Sequence, residues 1–216
     1  MLLGMLAFVA TPQAYATAEL QLTSGATNVI VSDNGSGDLD PTVGQIIFSG
    51  AVGDWNINLT TGLSHGPGLA AMDLGSTDAT STGPSTLIIE FSDTGFTVGA
   101  PGFEVRATGH ITNSGSGTAT IDSWFDNSNV LFGQGGSIAT LGPFSPSYDA
   151  TGSSAGPGVP LYSLTEQITL TSGTGGVEWS TDTTLSAVPE PASVALLGGV
   201  LLFTVSAIRR KARRAS

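Results

Sequence analysis

Residues 162–185 read YSLTEQITLTSGTGGVEWSTDTTL, two runs of alternating apolar and polar residues with a Gly-rich turn between them. The apolar residues of each run share one phase: Tyr162, Leu164, Ile168 and Leu170, then Val177, Trp179 and Leu185. Side chains at every second position of a β-strand point to the same face. Both runs therefore predict half-buried strands with one face toward water.

The same period of two recurs upstream, at Trp55–Leu59 and Phe103–Ile111, while 86–91 is more continuously apolar and suits a central strand. Clusters of turn-forming residues separate the runs, at Ser32–Pro41, Gly62–Gly68, Asp93–Gly95, Asn113–Gly117, Gly142–Pro160 and Ser172–Gly176. No convincing helical stripe precedes Pro191. About ten short strands with such turns favour an all-β fold, an antiparallel β-sandwich of Greek-key or jelly-roll type, over residues 17–187.

Composition limits the partners of this domain. The 216 residues include 17 Asp and Glu but only six Lys and Arg, and Arg106 is the single Lys or Arg before residue 209. Phosphate contacts need basic side chains, so nucleic acid is an unsuitable partner. The acidic balance instead favours solubility and association with counter-ions or Ca²⁺. Because the chain has no cysteine, burial and sheet hydrogen bonds alone must hold it together.

The C-terminal 29 residues differ from the rest. Val188, Pro189, Glu190 and Pro191 precede an uncharged apolar run over 192–208, and a basic cluster follows: Arg209, Arg210, Lys211, Arg213 and Arg214. The run predicts a single transmembrane helix of roughly 25 Å. Basic residues beside a span mark its cytoplasmic side, so the preceding domain is expected to lie outside.

This ordered tail resembles the PEP-CTERM sorting signal, which combines a V-P-E-P motif, one hydrophobic span and an Arg-rich end. The resemblance covers residues 188–216 and implies recognition of the motif by an exosortase, a membrane-embedded cysteine protease. It further implies removal of the tail, delivery to the cell surface or medium of a Gram-negative bacterium, and association with exopolysaccharide. Residues 129–150 and 162–185 also resemble the ectodomain of a group of small PEP-CTERM proteins, for which no activity is implied.

The N-terminus agrees with export. Residues 2–10 are apolar and Ala14-Tyr15-Ala16 is an A-x-A cleavage pattern, so residues 1–16 predict a signal peptide read by the Sec translocon. No Lys or Arg precedes the apolar stretch, although the n-region of a signal peptide carries positive charge. This absence suggests an internal Met or a truncated start.

Two motifs could carry chemistry. Gly62-Leu63-Ser64-His65-Gly66 matches G-x-S-x-G, but a nucleophile elbow needs a following helix and a placed His and acid, so a turn is favoured. Asp33, Asp38 and Asp40 lie in one loop with enough oxygens for Ca²⁺, although the spacing is not that of an EF-hand and the same residues stabilise turns.

The remaining candidates are single side chains. His65 and His110 are too few for a zinc site unless carboxylates complete it. Trp55 and Trp179 share the apolar phase and are predicted to be core residues. Trp124 and Phe125 are adjacent in a strand and must face opposite sides, so one of them is the candidate for carbohydrate contact. Glu166 stands in an apolar phase, as a strand-edge residue or a functional carboxylate, and one unpaired carboxylate does not make a glycosidase.

The sequence therefore predicts an exported, non-catalytic surface or matrix protein that is sorted by exosortase and associated with exopolysaccharide. A carbohydrate- or Ca²⁺-binding module of the same architecture is the alternative. A secreted hydrolase is the third hypothesis, and it requires a cleft that joins Ser64 or paired carboxylates to a base. No other cofactor is indicated.

Overall fold

A computed structural model describes residues 18–66, 68–97 and 99–188. In those residues the chain forms twelve strands, with short turns or loops between them: β1 (Glu19–Ser24), β2 (Thr27–Ser32), β3 (Gln45–Val52), β4 (Trp55–Ser64), β5 (Ala71–Ser81), β6 (Ser85–Phe96), β7 (Gly102–Ile111), β8 (Ala119–Asp126), β9 (Gly136–Phe144), β10 (Ser147–Ala155), β11 (Tyr162–Ser172) and β12 (Val177–Val188).

The strands make two six-stranded sheets in which every neighbouring pair is antiparallel. Sheet I has the order β2-β1-β6-β11-β8-β9, and sheet II has the order β10-β7-β12-β5-β4-β3. The two runs of residues 162–185 become β11 and β12, which are interior strands of different sheets. The predicted all-β antiparallel sandwich is confirmed.

The other half of the fold prediction, a transmembrane helix over 192–208, is wrong as part of this fold. No helix occurs in the residues that the structure describes, and hence none that is long and apolar enough to cross a membrane. The prediction rests on an uncharged run and its basic flank, and the 17 residues of that run fall short of the roughly 20 that a spanning helix usually needs. Residues 192–208 themselves lie outside the described part of the chain.

The hydrophobic core lies between the inner faces of the two sheets. Alternate residues of the interior strands point into it, as the period of two requires, with changes of phase at bulges such as that of β5. Trp55 and Trp179 are 1% and 0% exposed, which confirms their prediction as core residues. Tyr162 stacks on Phe96 at 5.7 Å and meets Phe103 edge-on at 5.9 Å. Aromatic pairs in these geometries add about 0.5–1.5 kcal/mol each beyond the apolar area that they bury.

β10 lies inside the predicted turn region Gly142–Pro160, so that prediction is wrong over Ser147–Ala155. The strand carries only small and polar residues apart from Tyr148, and it forms one edge of sheet II. An edge strand pairs on one side only. β10 is therefore held in sheet II by its hydrogen bonds to β7 and not by an apolar face. Its position is what creates the groove described next.

Candidate functional site

An open groove of about 550 Å³ lies on the outer face of sheet II, across β10, β7 and β12. Six outward side chains line it in two cross-strand rows: Ser147, His110 and Ser180, then Asp149, Thr108 and Asp182. Hydroxyl and carboxylate groups therefore dominate the lining. Because neighbouring strands lie about 4.8 Å apart, the carboxylates of Asp149 and Asp182 stand on strands separated by roughly 10 Å.

The inward residues of the same strands hold the floor of the groove. Tyr148 crosses beneath Gly109, where a Cβ would lie 2.7 Å from the tyrosine ring, so only glycine fits at this point. The Tyr148 hydroxyl shares a hydrogen bond with the hydroxyl of Thr181, and its ring stacks on Phe144 at 4.7 Å. Burial raises the pKa of Tyr148 to about 12, so the ring stays neutral. The floor is thus fixed by packing from below.

Arg106 sits beside the groove and is already paired. Its Nη2 lies 3.2 Å from Asp149 Oδ2, and its Nε donates to Asp149 Oδ1 at 3.3 Å. The hydrogen bonds to Asp149 and the charge of its carboxylate raise the pKa of Arg106. Both side chains are mostly exposed, so the pair contributes little to stability. Its effect is to neutralise the one Arg or Lys that precedes residue 209.

Two carboxylates, one on β5 and one on β12, meet beside the groove. A Cβ on Gly75 would lie 2.5 Å from Asp73 Oδ1 and 2.8 Å from Asp182 Oδ1, so both side chains cover this glycine. Burial, and next the nearby charge of Asp182, raise the pKa of Asp73 to about 6, while His65 partly opposes this. Asp182 thus belongs both to this carboxylate pair and to the lining of the groove.

The G-x-S-x-G stretch does not form a nucleophile elbow. Gly62 and Ser64 lie within β4, and the buried Ser64 hydroxyl donates to the carboxylate of Asp93 in the opposite sheet. A catalytic serine instead needs a histidine on its hydroxyl, and His65 is exposed. His110 lies in the groove, on β7. In the described residues, then, the serine and the two histidines form no catalytic set.

Glu166 is fully buried in β11, so its interpretation as a strand-edge residue is wrong. It shares the inward phase with Ile168 and lies beside Phe91 of β6 and Ser123 of β8. Neither carboxylate oxygen has a hydrogen-bond partner within the described residues. Burial raises its pKa well above the ordinary value, with smaller contributions from Asp73 and Asp182, so the group is held as a neutral acid.

The three Ca²⁺ candidates stabilise their own loop. Asp33 accepts from the Gly44 amide at 2.8 Å, Asp38 from the amides of Asn34 and Ile47, and Asp40 from the Thr42 amide at 2.7 Å. The hydrogen bonds to Thr42 lower the pKa of Asp40. Among the residues described, no cluster of three His, Asp or Glu side chains is arranged to hold a metal ion. Ca²⁺ binding by this loop stays a prediction.

The adjacent aromatics of β8 face opposite sides of sheet I. Phe125 stacks on Phe103 at 6.3 Å and packs against the core. Trp124 is half-buried on the outer face, beside Thr165 of β11. Trp124 is therefore the carbohydrate-contact candidate on the outer face, and it lies on the opposite sheet from the groove.

The predicted sorting motif begins at the last residue of β12. Val188 is the last residue of β12 and pairs with Gly102 of β7. Pro189, Glu190, Pro191 and the basic cluster over 209–214 lie outside the described residues, as does the predicted signal peptide. The described strands are complete at Val188.

Sequence reasoning does not identify the groove. Its lining comes from three strands that are distant along the chain, and one of them, β10, lies where the sequence predicts a turn. The only sequence signal is the polar phase of β7 and β12, which predicts a solvated face and gives no register between strands. Register brings Asp149, Thr108 and Asp182 into one row.

No family model and no curated protein matches this chain. Among solved structures, TmCBM61 in complex with β-1,4-galactotriose is similar, with a TM-score of 0.33 and 10% identity over 64% of this chain and 92% of that one. The CBM22-1 xylan-binding domain of Paenibacillus barcinonensis Xyn10C has a TM-score of 0.29 and 6% identity, over 68% and 89%. An isomalto-dextranase of Arthrobacter globiformis complexed with panose has 0.26 and 11%, over 65% and 23%. Likeness at this level gives neither a family nor a ligand to this chain.

Proposed function

We propose that this protein is an exported, non-catalytic glycan-binding module that holds polysaccharide in the groove of sheet II. The observation that carries the proposal is the groove itself. It is open, has a volume of about 550 Å³, and is lined by hydroxyls, carboxylates and an imidazole. Such groups accept and donate hydrogen bonds to the hydroxyls of a sugar chain. The volume is within the range of ordinary ligand sites.

The buried position of Ser64 supports a binding role over a hydrolytic one. Its hydroxyl is committed to Asp93 between the sheets and does not face the groove. The groove floor is set by Tyr148 and Thr181 through packing, which gives a surface that needs no rearrangement to receive a ligand. The secreted hydrolase is thereby the weaker hypothesis.

The test is retention by the extracellular polysaccharide of the producing cells in affinity gel electrophoresis. Ser147→Tyr puts a ring into the groove, and Ser153→Tyr puts the same ring on the same exposed face of β10 outside the groove lining. Retention lost in the first variant and kept in the second supports the groove as the site. Equal retention of both variants contradicts it, and release of reducing ends by the protein supports a hydrolase.

Delivery by exosortase is the second part of the proposal. It is supported by the V-P-E-P motif at 188–191, the basic cluster after it, and the end of β12 at Val188, which leaves the motif directly after the last strand. The module would reach the cell surface through the Sec translocon and the exosortase. A tagged copy with Pro189, Glu190 and Pro191 changed to Ala should keep its full C-terminus by mass spectrometry. Normal processing of that copy would contradict sorting through this motif.

A further inference from the structure

We infer that the groove selects an extended glycan without acidic groups, and that it binds one carrying protonated amines most tightly. The inference rests on the proposed function, because it names the charge class of the ligand in the same groove. Three features carry it: the direction of the lining rows, the sign of the charge along them, and the way the ligand must be held.

The rows run across the strands and not along them. Asp149, Thr108 and Asp182 are register neighbours on β10, β7 and β12, and the outer surface continues past Asp182 to Gly75 of β5. The two carboxylates of the row are separated by roughly two strand spacings. A ligand that contacts both must be extended, as a chain of linked sugars is, with its long axis perpendicular to the strands.

The net charge of the row is negative, because Arg106 compensates Asp149 alone. Asp149 is shared with Arg106 through two hydrogen bonds, so the guanidinium is occupied. No salt bridge is found at Asp182 in the part of the chain described, and the carboxylate of Asp73 lies against the same glycine. The like charge of these carboxylates would repel a uronate or sulfate group in the groove. An ammonium group would instead relieve the repulsion between Asp182 and Asp73.

Recognition in the groove depends mainly on hydrogen bonds and charge, because no Trp, Tyr or Phe ring of the lining faces outward for stacking. Tyr148 turns its ring inward beneath Gly109 and stacks on Phe144. Carboxylates accept hydrogen bonds from sugar hydroxyls and accept stronger ones from ammonium groups. The charge of the ligand should therefore dominate the affinity.

The experiment measures dissociation constants for three β-1,4-linked hexasaccharides of the same backbone by isothermal titration calorimetry. The neutral probe is cellohexaose and the cationic probe is the hexamer of glucosamine. The anionic probe is the hexamer of glucuronic acid, which is cellohexaose oxidised to a carboxylate at each C6. We expect the cationic probe to bind at least about tenfold tighter than the neutral one at low salt, and the anionic probe not to bind. Raising the salt should weaken only the cationic complex.

Asp182→Asn tests the groove directly, with Glu178→Gln as the control, since it removes the same charge from the same strand and face outside the groove lining. The first variant should lose about tenfold in affinity for the cationic probe and much less for cellohexaose, and the second should match the wild type. Equal weakening by both variants overturns the inference, because it shows attraction to the overall charge. Equal binding of all three probes, or preference for the anionic one, also overturns it and leaves the proposed function standing. Failure of every probe and of the cells' own polysaccharide to bind overturns both.

Discussion

Gly62 lies where the two sheets pack too closely for a side chain on β4. A Cβ at this position would lie 2.5 Å from Phe91 Cδ2, and Phe91 is fully buried in β6. Side chains in a close-packed core cannot move away without disturbing their own neighbours. The residue is therefore required by the sandwich, and the G-x-S-x-G match that contains it has a structural cause.

Gly62→Ala should destabilise the fold by about 1–3 kcal/mol, the usual cost of an overpacked core. The measurement is urea unfolding followed by tryptophan fluorescence. Gly83→Ala is the matched control, since a Cβ there meets no atom within 4 Å. Similar midpoints for the two variants would show that the sheets can separate at this point.

At the level of single residues, the sequence predicts well which face of a sheet a side chain lies on. It predicts poorly which residues that side chain contacts. Alternation assigns Trp55 and Trp179 to the core and places Trp124 and Phe125 on opposite faces, and both statements agree with the structure. It cannot predict that Ser64 bonds to Asp93, because that contact joins two sheets. Glu166 is in the inward phase, yet a buried unpartnered carboxyl is so costly that an edge position is the natural interpretation of the sequence.

Among the elements, β10 and β12 show the two limits of sequence reasoning. β12 alternates large apolar with polar residues and is predicted by its pattern, while β10 has almost no apolar residue and is not. Patterns report burial on one face, and an edge strand of small residues buries little. The groove needs both strands in register, which explains why the site could not be predicted although most of the fold could.

β12 supplies a second prediction, because it pairs along its length with β7 on one side and β5 on the other. A chain that ends at Val188 keeps every described strand and should melt at the same temperature as the full chain. A chain that ends at Asp182 loses the ladders of Leu185 and its neighbours and should fail to fold, as near-ultraviolet circular dichroism and proteolysis would report. Instability of the longer piece would mean that residues after 188 take part in the fold.

At the scale of the whole molecule, three carboxyl groups of the described residues have raised pKa values for the same reason. Burial raises the pKa of Asp93 to about 6, against hydrogen bonds from Ser64 and Thr94 that lower it, and burial also raises those of Asp73 and Glu166. Each folded-state pKa lies above its unfolded value, so the folded protein holds protons that the unfolded chain releases. Stability must then rise as the pH falls.

The pH window follows from these directions. The contributions of Asp73 and Asp93 are absent above about pH 6 and grow as the pH falls toward 3.8, the ordinary pKa of an aspartate. The raised pKa of Glu166 acts in the same direction. A difference of one between the folded and unfolded pKa corresponds to about 1.4 kcal/mol of stability, with a discount for the half-exposed Asp73. The pKa of Asp73 also depends on the charges of Asp182 and His65, and that of Asp93 on the charge of Asp33. These charges therefore help to set the pH range.

Melting temperatures should therefore rise between pH 8 and pH 5 in differential scanning calorimetry. Glu166→Gln, which stays neutral, should be more stable than the wild type at pH 8, and the difference should shrink toward pH 5. A wild type that is most stable at pH 8, or a constant difference between the two proteins, would contradict the assignment of Glu166 as a buried neutral acid.

The place of β11 and β12 in the sandwich has a consequence for how the chain is made. These two strands are the last to be synthesised among those described, yet β11 separates β6 from β8, and β12 separates β5 from β7. Until residues 162–188 emerge, each sheet exists only as two unjoined halves with open edges. Neither sheet can therefore be completed before the ribosome has delivered residues 162–188.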